Sequence, residues 1–277
     1  MSLRRLGLIG AGQISRLVLQ TLQSNLPAPL DHLSVFALPR SAAKAHSLIE
    51  SIGKDVARSC GIRIDLDDFL HDGLDVVAEC ASHSAVRDYG PTILASGCEL
   101  IVISIGAMAD EDLNRILESS AKKGCTRLVF PAGAVGGVDA LSASRLSGVQ
   151  EVFYTCRKPP KAWLGTPAEA LLNLDELQIP TTFFEGSARQ AAREYPFNVN
   201  VASTLALAGI GLDKTQVRLV ADPTIAANIH EFMVRANCGN FSIRLENKPL
   251  PNNTKSSQLA AYSVARELLN RVGVFSI

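Results

Sequence analysis

A glycine turn near the start of the chain has the residue types and spacing that bind phosphate. The segment reads Leu6-Gly7-Leu8-Ile9-Gly10-Ala11-Gly12-Gln13-Ile14-Ser15. Gly10 permits a tight turn after an apolar strand, and Gly12 lets a ligand approach the backbone. A helix that starts at Gln13 and Ile14 offers free N–H groups and a positive dipole to an anion. The pattern predicts a site for the dinucleotide NAD or NADP, and a purely structural glycine turn is the alternative.

Two positions depart from the usual pattern of an NAD site. Ser15 stands where a third glycine is common, and we expect looser packing of the helix there with the phosphate contact intact. The second apolar run ends in Leu38-Pro39-Arg40-Ser41, without the acid that bonds the ribose 2′-hydroxyl of NAD. Arg40 can instead pair with the 2′-phosphate of NADP, although a solvated arginine would give the same sequence. We expect NADP to bind at least as well as NAD, and both remain open.

Histidine is the side chain best suited to proton transfer near neutral pH. The chain has five histidines, which are His32, His46, His71, His83 and His230. Only His230 lies in the second half, beyond the predicted dinucleotide domain. On spacing alone, a single histidine within a strand is more often a core or surface residue than a catalytic one.

The elements of the first half alternate between short apolar runs and helical patterns. Strands are predicted at residues 6–10, 33–38, 74–80, 99–104 and 126–130, and helices near 13–24, 41–59, 84–96 and 110–123. Alternating strands and helices form parallel sheets joined by right-handed crossovers. We therefore expect an α/β fold with a doubly wound parallel sheet of the Rossmann type.

The pattern changes after Pro131, where a small-residue connector leads to strands that alternate apolar and polar residues. These strands are predicted at residues 149–157, 181–185, 216–220, 229–236 and 240–246, with helices near 187–194, 201–208 and 257–272. Alternation indicates a sheet with one solvated face, so a second α+β domain with a mixed or antiparallel sheet is expected. The predicted domains are a dinucleotide domain over 1–130 and a substrate domain over 131–254. The final helix, in 255–277, is expected to pack back on the first domain.

Composition narrows the class of function. Lys plus Arg and Asp plus Glu both number 27, so the net charge is zero and a nucleic-acid partner is not expected. No apolar stretch is long enough to predict a membrane span. The six cysteines are scattered without metal-ligand spacing, which predicts free thiols, no metal site and a cytoplasmic protein with a small-molecule substrate.

Several segments resemble the L-aspartate dehydrogenase family, and together they run over essentially the full chain. They are Phe130-Pro131-Ala132-Gly133-Ala134-Val135-Gly136-Gly137-Val138-Asp139-Ala140-Leu141, Arg157-Lys158-Pro159-Pro160, Glu185-Gly186-Ser187-Ala188, Tyr195-Pro196-Phe197-Asn198-Val199-Asn200-Val201-Ala202, Ala221-Asp222-Pro223 with Asn228-Ile229-His230, and Asn253-Thr254-Lys255-Ser256-Ser257. The last departs from the family's usual Asn-Pro-Lys-Thr-Ser, which puts fine positioning there in doubt.

The resemblance implies oxidative deamination of L-aspartate to oxaloacetate and ammonia through iminoaspartate, with hydride transfer to NAD or NADP. By position, His230 matches the family's active-site histidine, while Ala134 and Asn200 match its cofactor contacts. Asn200 would hold the nicotinamide carboxamide, although a helix N-cap is its ordinary role. The resemblance also raises the expectation of a homodimer and of a role in NAD biosynthesis.

A substrate with two carboxylates needs cations and hydrogen-bond donors. The substrate-half cations in matching segments are Arg157, Lys158 and Lys255, and Ser256 and Ser257 at a predicted helix start can add hydroxyl and N–H donors. For each, a solvated cation or a helix cap is the ordinary interpretation.

Two other functions remain open from sequence. One is a related two-domain NAD(P)-dependent dehydrogenase or reductase that acts on homoserine, a dihydrodipicolinate-like ring or another amino acid. The other is a non-catalytic NAD(P)-sensing protein, or a structural relative whose glycine turn holds no ligand. Hydride transfer with aspartate separates these alternatives from the main interpretation.

Overall fold

The computed structural model describes residues 3–196, 198–250 and 253–275, and contacts between Cα atoms divide the chain into two compact units. Unit 1 takes the chain up to Pro131 together with the segment from Ala261 onward, and unit 2 is Ala132–Ala260. That unit 1 binds the cofactor and unit 2 the substrate stays a prediction.

Unit 1 is built on a six-stranded sheet in which every neighbouring pair is parallel. Its strands are β1 (Arg5–Ile9), β2 (Leu30–Phe36), β3 (Ala57–Arg63), β4 (Val76–Glu79), β5 (Glu99–Val102) and β6 (Leu128–Val129), in the order β3-β2-β1-β4-β5-β6. The strand order reverses between β1 and β4, as in a doubly wound sheet. The predicted fold class is confirmed for this half.

Helices connect these strands. They are α1 (Gln13–Asn25), α2 (Ala42–Leu48), α3 (Lys54–Val56), α4 (Leu66–His71), α5 (His83–Ala95) and α6 (Glu111–Lys123). α6 shows why its sequence is helical, because the Asp110 carboxylate accepts hydrogen bonds from the N–H groups of Asp112 and Leu113. Lys122 and Lys123 occupy its last turn, where the helix dipole favours cations.

β3 corrects one sequence prediction. The helix predicted over 41–59 ends at Val56, and the chain from Ala57 runs as an edge strand beside β2. Most of β3 is exposed or half-buried, so the strand lacks the continuous apolar run that identified its neighbours.

Unit 2 carries a five-stranded mixed sheet in the order β11-β10-β7-β9-β8. Its strands are β7 (Val149–Lys158), β8 (Thr181–Ser187), β9 (Gln216–Ala221), β10 (Asn228–Ala236) and β11 (Gly239–Asn247); its helices are α7 (Val138–Arg145), α8 (Ala168–Leu171), α9 (Ala188–Glu194) and α10 (Asn200–Ala208). Only the pairing of β7 with β9 is parallel. The predicted α+β class is confirmed, although α7 was not foreseen.

The two-residue period of β7 places three polar or reactive side chains on one buried face. Tyr154, Cys156 and Lys158 are all buried, whereas Phe153 and Arg157 on the opposite face are half-buried. Both α7 and α10 pack near this sheet, and α10 contacts β7. The strand thus carries polar groups into the interior of unit 2.

The last predicted helix begins later than expected. Asn253–Ser257 forms strand β13, which pairs with β12 (Pro249–Leu250), and the helix α11 is Gln258–Leu269. Beyond α11, Arg271 forms an ion pair with Glu99 of β5, and its carbonyl accepts a hydrogen bond from the Leu3 N–H at 3.4 Å. These contacts fasten the segment after α11 to unit 1.

Across the described residues, no helix combines the length and apolarity needed to cross a membrane. In the same part of the chain, no group of three or more His, Cys, Asp or Glu side chains is arranged to hold a metal ion. The six cysteines all lie within this part and are free thiols.

Candidate active site

The glycine turn of unit 1 follows β1 directly. Gly10 has φ +95°, which L side chains rarely adopt, and a Cβ there would lie 2.9 Å from the Ala81 Cβ. The Gly10 N–H donates to the Phe36 carbonyl at the end of β2 at 3.0 Å. Position 10 therefore requires glycine both for its conformation and for its closeness to the loop after β4.

Gly12 leaves the start of α1 open to a ligand. A Cβ at Gly12 would meet nothing within 4 Å in the described structure. Gly12 is the N-cap and has no side chain with which to cap the helix, so the first N–H groups, from Gln13 and Ile14 onward, keep their capacity to donate. A 13-residue helix with this uncapped start fits the pyrophosphate of a dinucleotide.

Contrary to the prediction, Ser15 does not loosen the packing at the start of helix α1. Its side chain is fully buried, and its hydroxyl donates to the Gly10 carbonyl at 2.9 Å. The hydroxyl is small enough to reach the turn, and its hydrogen bond joins the start of α1 to Gly10.

Arg40 lies in a short 3-10 helix, Pro39–Ser41, just after β2. Because β1 and β2 are parallel neighbours, Arg40 and the Gly10 turn follow the same edge of the sheet. The Arg40 side chain is exposed. This placement is compatible with a 2′-phosphate contact and also with plain solvation.

Glu79 is a site residue that the sequence interpretation missed. Its buried carboxylate accepts hydrogen bonds from the N–H groups of Ala81 (2.7 Å), Ser82 (2.8 Å) and Ser104 (3.1 Å), and from the Ser104 hydroxyl (2.9 Å). Burial raises the pKa of Glu79, and these hydrogen bonds oppose that shift. Glu79 thereby fixes the loop that touches Gly10. The signal available in the sequence was a single acidic residue at the end of the apolar strand β4.

His230 lies on β10 in the interior of unit 2, with 2% of its surface exposed. Register places it opposite Cys156 of β7. The Tyr154 hydroxyl oxygen is 2.6 Å from His230 Nδ1, and the two rings are nearly parallel, at 7°. One nitrogen of the imidazole is therefore engaged by a buried phenol.

Burial, followed by the nearby Lys158 ammonium, lowers the pKa of His230 to about 3. The sequence interpretation expected a group that titrates near neutrality, and the structure differs for these two physical reasons. His230 is consequently a neutral imidazole at physiological pH, able to accept a proton but a weak base in its buried place near Lys158.

Lys158 is the cation that the structure brings to His230. It is 2% exposed, its Nζ donates to the Asn198 carbonyl at 3.1 Å, and it lies 5.4 Å from the centre of the Trp163 ring. The buried Asn198 Oδ1 has no hydrogen-bond partner among the described residues. Unit 2 therefore buries an ammonium group and an amide oxygen that lacks a hydrogen-bond partner in the described structure, and both favour polar company.

Arg157 is not part of this group. It lies on the other face of β7 and pairs with Asp222 at 3.1 Å. Burial opposes ionisation of Asp222, but hydrogen bonds from Thr224 and Arg157 outweigh it and lower the pKa of that carboxyl. Arg157 therefore serves the Asp222 turn rather than a substrate.

The two predicted cofactor contacts of unit 2 lie in different settings. The Ala134 carbonyl is buried and accepts a hydrogen bond from Asn247 Nδ2 at 2.6 Å. Asn200 is the first residue of α10, while Val199 is the N-cap, so Asn200 is not the cap itself. The Asn200 carbonyl accepts from the Thr204 hydroxyl at 3.1 Å.

The predicted helix-start donors lie directly before α11. Ser256 is half-buried and Ser257 is buried at the end of β13, and α11 begins at the next residue, Gln258. The same stretch pairs with Pro249–Leu250, and the donor role of the two serines stays a prediction. β13 contacts the 160–163 turn that carries Trp163. The side chain of Lys255 lies outside the described residues.

Comparison with known proteins accounts for both units. The family described as "Aspartate dehydrogenase, C-terminal" matches residues 139–271, and "Homoserine dehydrogenase, NAD binding domain" matches residues 6–131. The L-aspartate dehydrogenase of Cupriavidus necator is 40% identical over 272 residues, which cover 98% of each chain. That of Pseudomonas aeruginosa is 46% identical over 203 residues, or 73% of this chain and 76% of its own.

A solved structure agrees with these relatives. The aspartate dehydrogenase of Thermotoga maritima superposes with a TM-score of 0.72 at 28% identity, and the alignment covers 99% of both chains. Sequence identity near 40% extends along almost the full length of the chain and includes both units. The chain belongs to the L-aspartate dehydrogenase family.

Proposed function

We propose that this chain oxidises L-aspartate to iminoaspartate, and on to oxaloacetate and ammonia, with NADP or NAD as hydride acceptor. The observation that carries the proposal is the buried pair of His230 and Lys158 in unit 2, a neutral imidazole next to a cation. Such a pair suits a small acidic substrate that must lose a proton before it is oxidised.

Unit 1 supplies the cofactor site in this proposal. The uncapped N–H groups of α1 and the bare backbone at Gly12 would hold the pyrophosphate, and Arg40 would pair with the 2′-phosphate of NADP. Bound nicotinamide supplies the hydride acceptor. From unit 2, Ala134 and Asn200 are proposed as further cofactor contacts.

Unit 2 supplies acid–base chemistry. His230 would take a proton from the substrate ammonium, which frees the nitrogen lone pair that drives hydride departure from Cα. It would then guide water onto the imine carbon. A substrate carboxylate bound at Lys158 offsets the charge that depresses the pKa of His230, so substrate binding would strengthen the base. Ser256, Ser257 and Lys255 remain proposed carboxylate contacts.

The assembly and location are proposed more broadly. A homodimer is the expected assembly. The cytoplasm is the expected location, and the free thiols of all six cysteines support it because they suit a reducing compartment. Sedimentation equilibrium measures the mass directly, and a 29.6 kDa particle would contradict the dimer.

The deciding experiment mixes the purified protein with NADP⁺ or NAD⁺ and, separately, L-aspartate, L-glutamate, L-asparagine or L-homoserine. We expect reduced cofactor to accumulate with L-aspartate and with none of the other three amino acids. Turnover with another amino acid instead would favour the related dehydrogenase. Cofactor binding by fluorescence titration without turnover on any substrate would favour the sensing protein.

A further inference from the structure

We propose that Tyr154 is a positioning residue that fixes the tautomer of His230. In this arrangement the Tyr154 oxygen accepts the Nδ1–H of His230, and the Tyr154 hydroxyl donates to the sulfur of Cys156. The Nε2 of His230 then carries a lone pair and no proton. The inference rests on the proposed acid–base role of His230 and adds to it a hydrogen-bonded chain of three residues.

The neighbouring strands β7 and β10 place the three side chains together. Tyr154 Oη and His230 Nδ1 are 2.6 Å apart, which is a hydrogen bond whichever atom donates. Tyr154 and Cys156 lie two residues apart on the same buried face of β7, and Cys156 is opposite His230 in the pairing of β7 with β10. All three side chains are buried.

The direction of the bond follows from what each atom can do. A neutral imidazole has one N–H and one lone pair, so a proton on Nδ1 leaves Nε2 bare and a proton on Nε2 does the reverse. If the Tyr154 hydroxyl donated to Nδ1, then Nε2 would hold the proton and His230 could accept none from a substrate. Catalysis by His230 therefore requires Tyr154 to accept.

Cys156 makes that direction possible. A buried phenol needs an acceptor for its own proton, because an unsatisfied buried donor is costly. If Nδ1 is a donor, the acceptor must be another atom, and we assign that role to the sulfur of Cys156, which shares the buried face of β7 with Tyr154. A sulfur is a weak acceptor, which makes the tautomer sensitive to changes at position 156.

Burial keeps the Tyr154 hydroxyl protonated. It raises the pKa of Tyr154 well above its ordinary value, and the neighbouring Cys156 shifts it in the same direction. Tyr154 thus stays a neutral phenol throughout the working pH range. It orients the imidazole without taking the proton itself.

Nitrogen-15 NMR of histidine-labelled protein tests the tautomer without reference to activity. The imidazole signals of His230 are assigned by their loss in His230→Gln, since the chain has four other histidines. At pH 7 we expect a protonated Nδ1 and an unprotonated Nε2. The opposite pattern overturns the proposal, and it leaves the proposed function standing if aspartate is still oxidised.

Two substitutions at one position provide the matched control. In Cys156→Ser the hydroxyl is a better acceptor than sulfur, so the tautomer and turnover should stay within about threefold of the unchanged protein. In Cys156→Ala the Tyr154 hydroxyl loses its acceptor and should donate a hydrogen bond to Nδ1 instead. The imidazole proton then resides on Nε2, so the tautomer is inverted and kcat should fall by about tenfold or more. Equal spectra for the Ser and Ala variants would overturn the role of Cys156.

Tyr154→Phe removes the acceptor at Nδ1 while it keeps the ring. Because that acceptor stabilises the imidazolium, its loss should move the acid limb of log kcat, which reports the enzyme with substrate bound, to lower pH and reduce kcat by roughly 10–100-fold. A merely structural tyrosine would lower the folded fraction without moving the limb. NADP⁺ affinity in unit 1 serves as the folding control, and an unmoved limb in a folded variant overturns the proposal.

Discussion

At the scale of single residues, the imidazole of His230 is the group on which we propose that turnover depends. We expect His230→Ala to lower kcat with aspartate by roughly 10²–10⁴-fold, the usual contribution of a positioned proton-transfer group. Steady-state kinetics measures the change, and NADP⁺ affinity should be unaffected because the Gly10 turn lies in unit 1.

The matched control is His46→Ala, since His46 is an exposed residue of α2. His46→Ala should keep both kcat and cofactor affinity. If His230→Ala retained near-normal turnover across pH, the catalytic role would be wrong and Lys158 would become the leading candidate.

Arg40 decides between the two cofactors. Arg40→Asp should weaken NADP⁺ binding by roughly 1–3 kcal/mol, because a charge-assisted contact is lost and a repulsion is gained. NAD⁺ has no 2′-phosphate, so its affinity in the same variant is the internal control and should fall far less. Fluorescence titration with both cofactors measures the difference. Equal losses of affinity for NADP⁺ and NAD⁺ would show that Arg40 does not bind the 2′-phosphate.

At the scale of elements, Glu79 holds together the loops that follow β4 and β5. Glu79→Gln places an amide NH₂ among four hydrogen-bond donors, so at least one donor loses its acceptor. We expect a loss of about 1–3 kcal/mol in the free energy of unfolding and weaker NADP⁺ binding, because Ala81 supports the Gly10 turn.

Urea unfolding measures that loss. Glu118→Gln is the control, because Glu118 is exposed and pairs only with Lys122 on the surface of α6. Its effect should stay within about 0.5 kcal/mol. Similar changes for the two variants would mean that the buried hydrogen bonds of Glu79 contribute little.

The elements also show what sequence can and cannot specify. Strands β1, β4 and β5 were predicted because burial on both faces demands continuous apolar runs. The edge strand β3 was not predicted, because solvent reaches one side of it and its sequence lacks a continuous apolar run. The short strand β13 was not predicted either, because its serines directly precede α11 and fit a helix start equally well.

The site was predictable in its residue types but not in its electrostatics. The spacing of Gly10 and Gly12 and the family match at His230 follow from sequence. The low pKa of His230 comes from burial and, after it, from Lys158, a residue distant in the chain that only the packing of unit 2 brings close. Glu79 likewise acts through Ser104, which the sequence alone does not place beside it.

At the scale of the molecule, His230 makes stability depend on pH. Its pKa is about 3 when folded and 6.5 when free, so the unfolded chain binds the proton more tightly. Stability is therefore fully present above pH 6.5 and falls as pH drops toward 3, by about 1.4 kcal/mol per unit. Relative to His230→Gln, the unchanged protein should lose about 2 kcal/mol between pH 6.5 and 5.

Urea unfolding at pH 5, 6, 7.5 and 9 measures this difference. Trp163 is the single tryptophan and is fully buried in unit 2, so its fluorescence reports on the unit that contains His230. Parallel pH profiles for the two proteins would show that His230 keeps an ordinary pKa.

The path of the chain has a consequence for synthesis. Unit 1 comprises the chain up to Pro131 and again from Ala261, so unit 2 is inserted within it. The contacts of Arg271 with Glu99 and Leu3 join segments that are synthesised before and after unit 2. Unit 2 is continuous and can fold once it has left the ribosome, whereas unit 1 must wait for the segment from Ala261 onward with part of its surface uncovered. A chain released without that segment would therefore display a finished second unit and an unfinished first one, which is the state most exposed to chaperones and proteases.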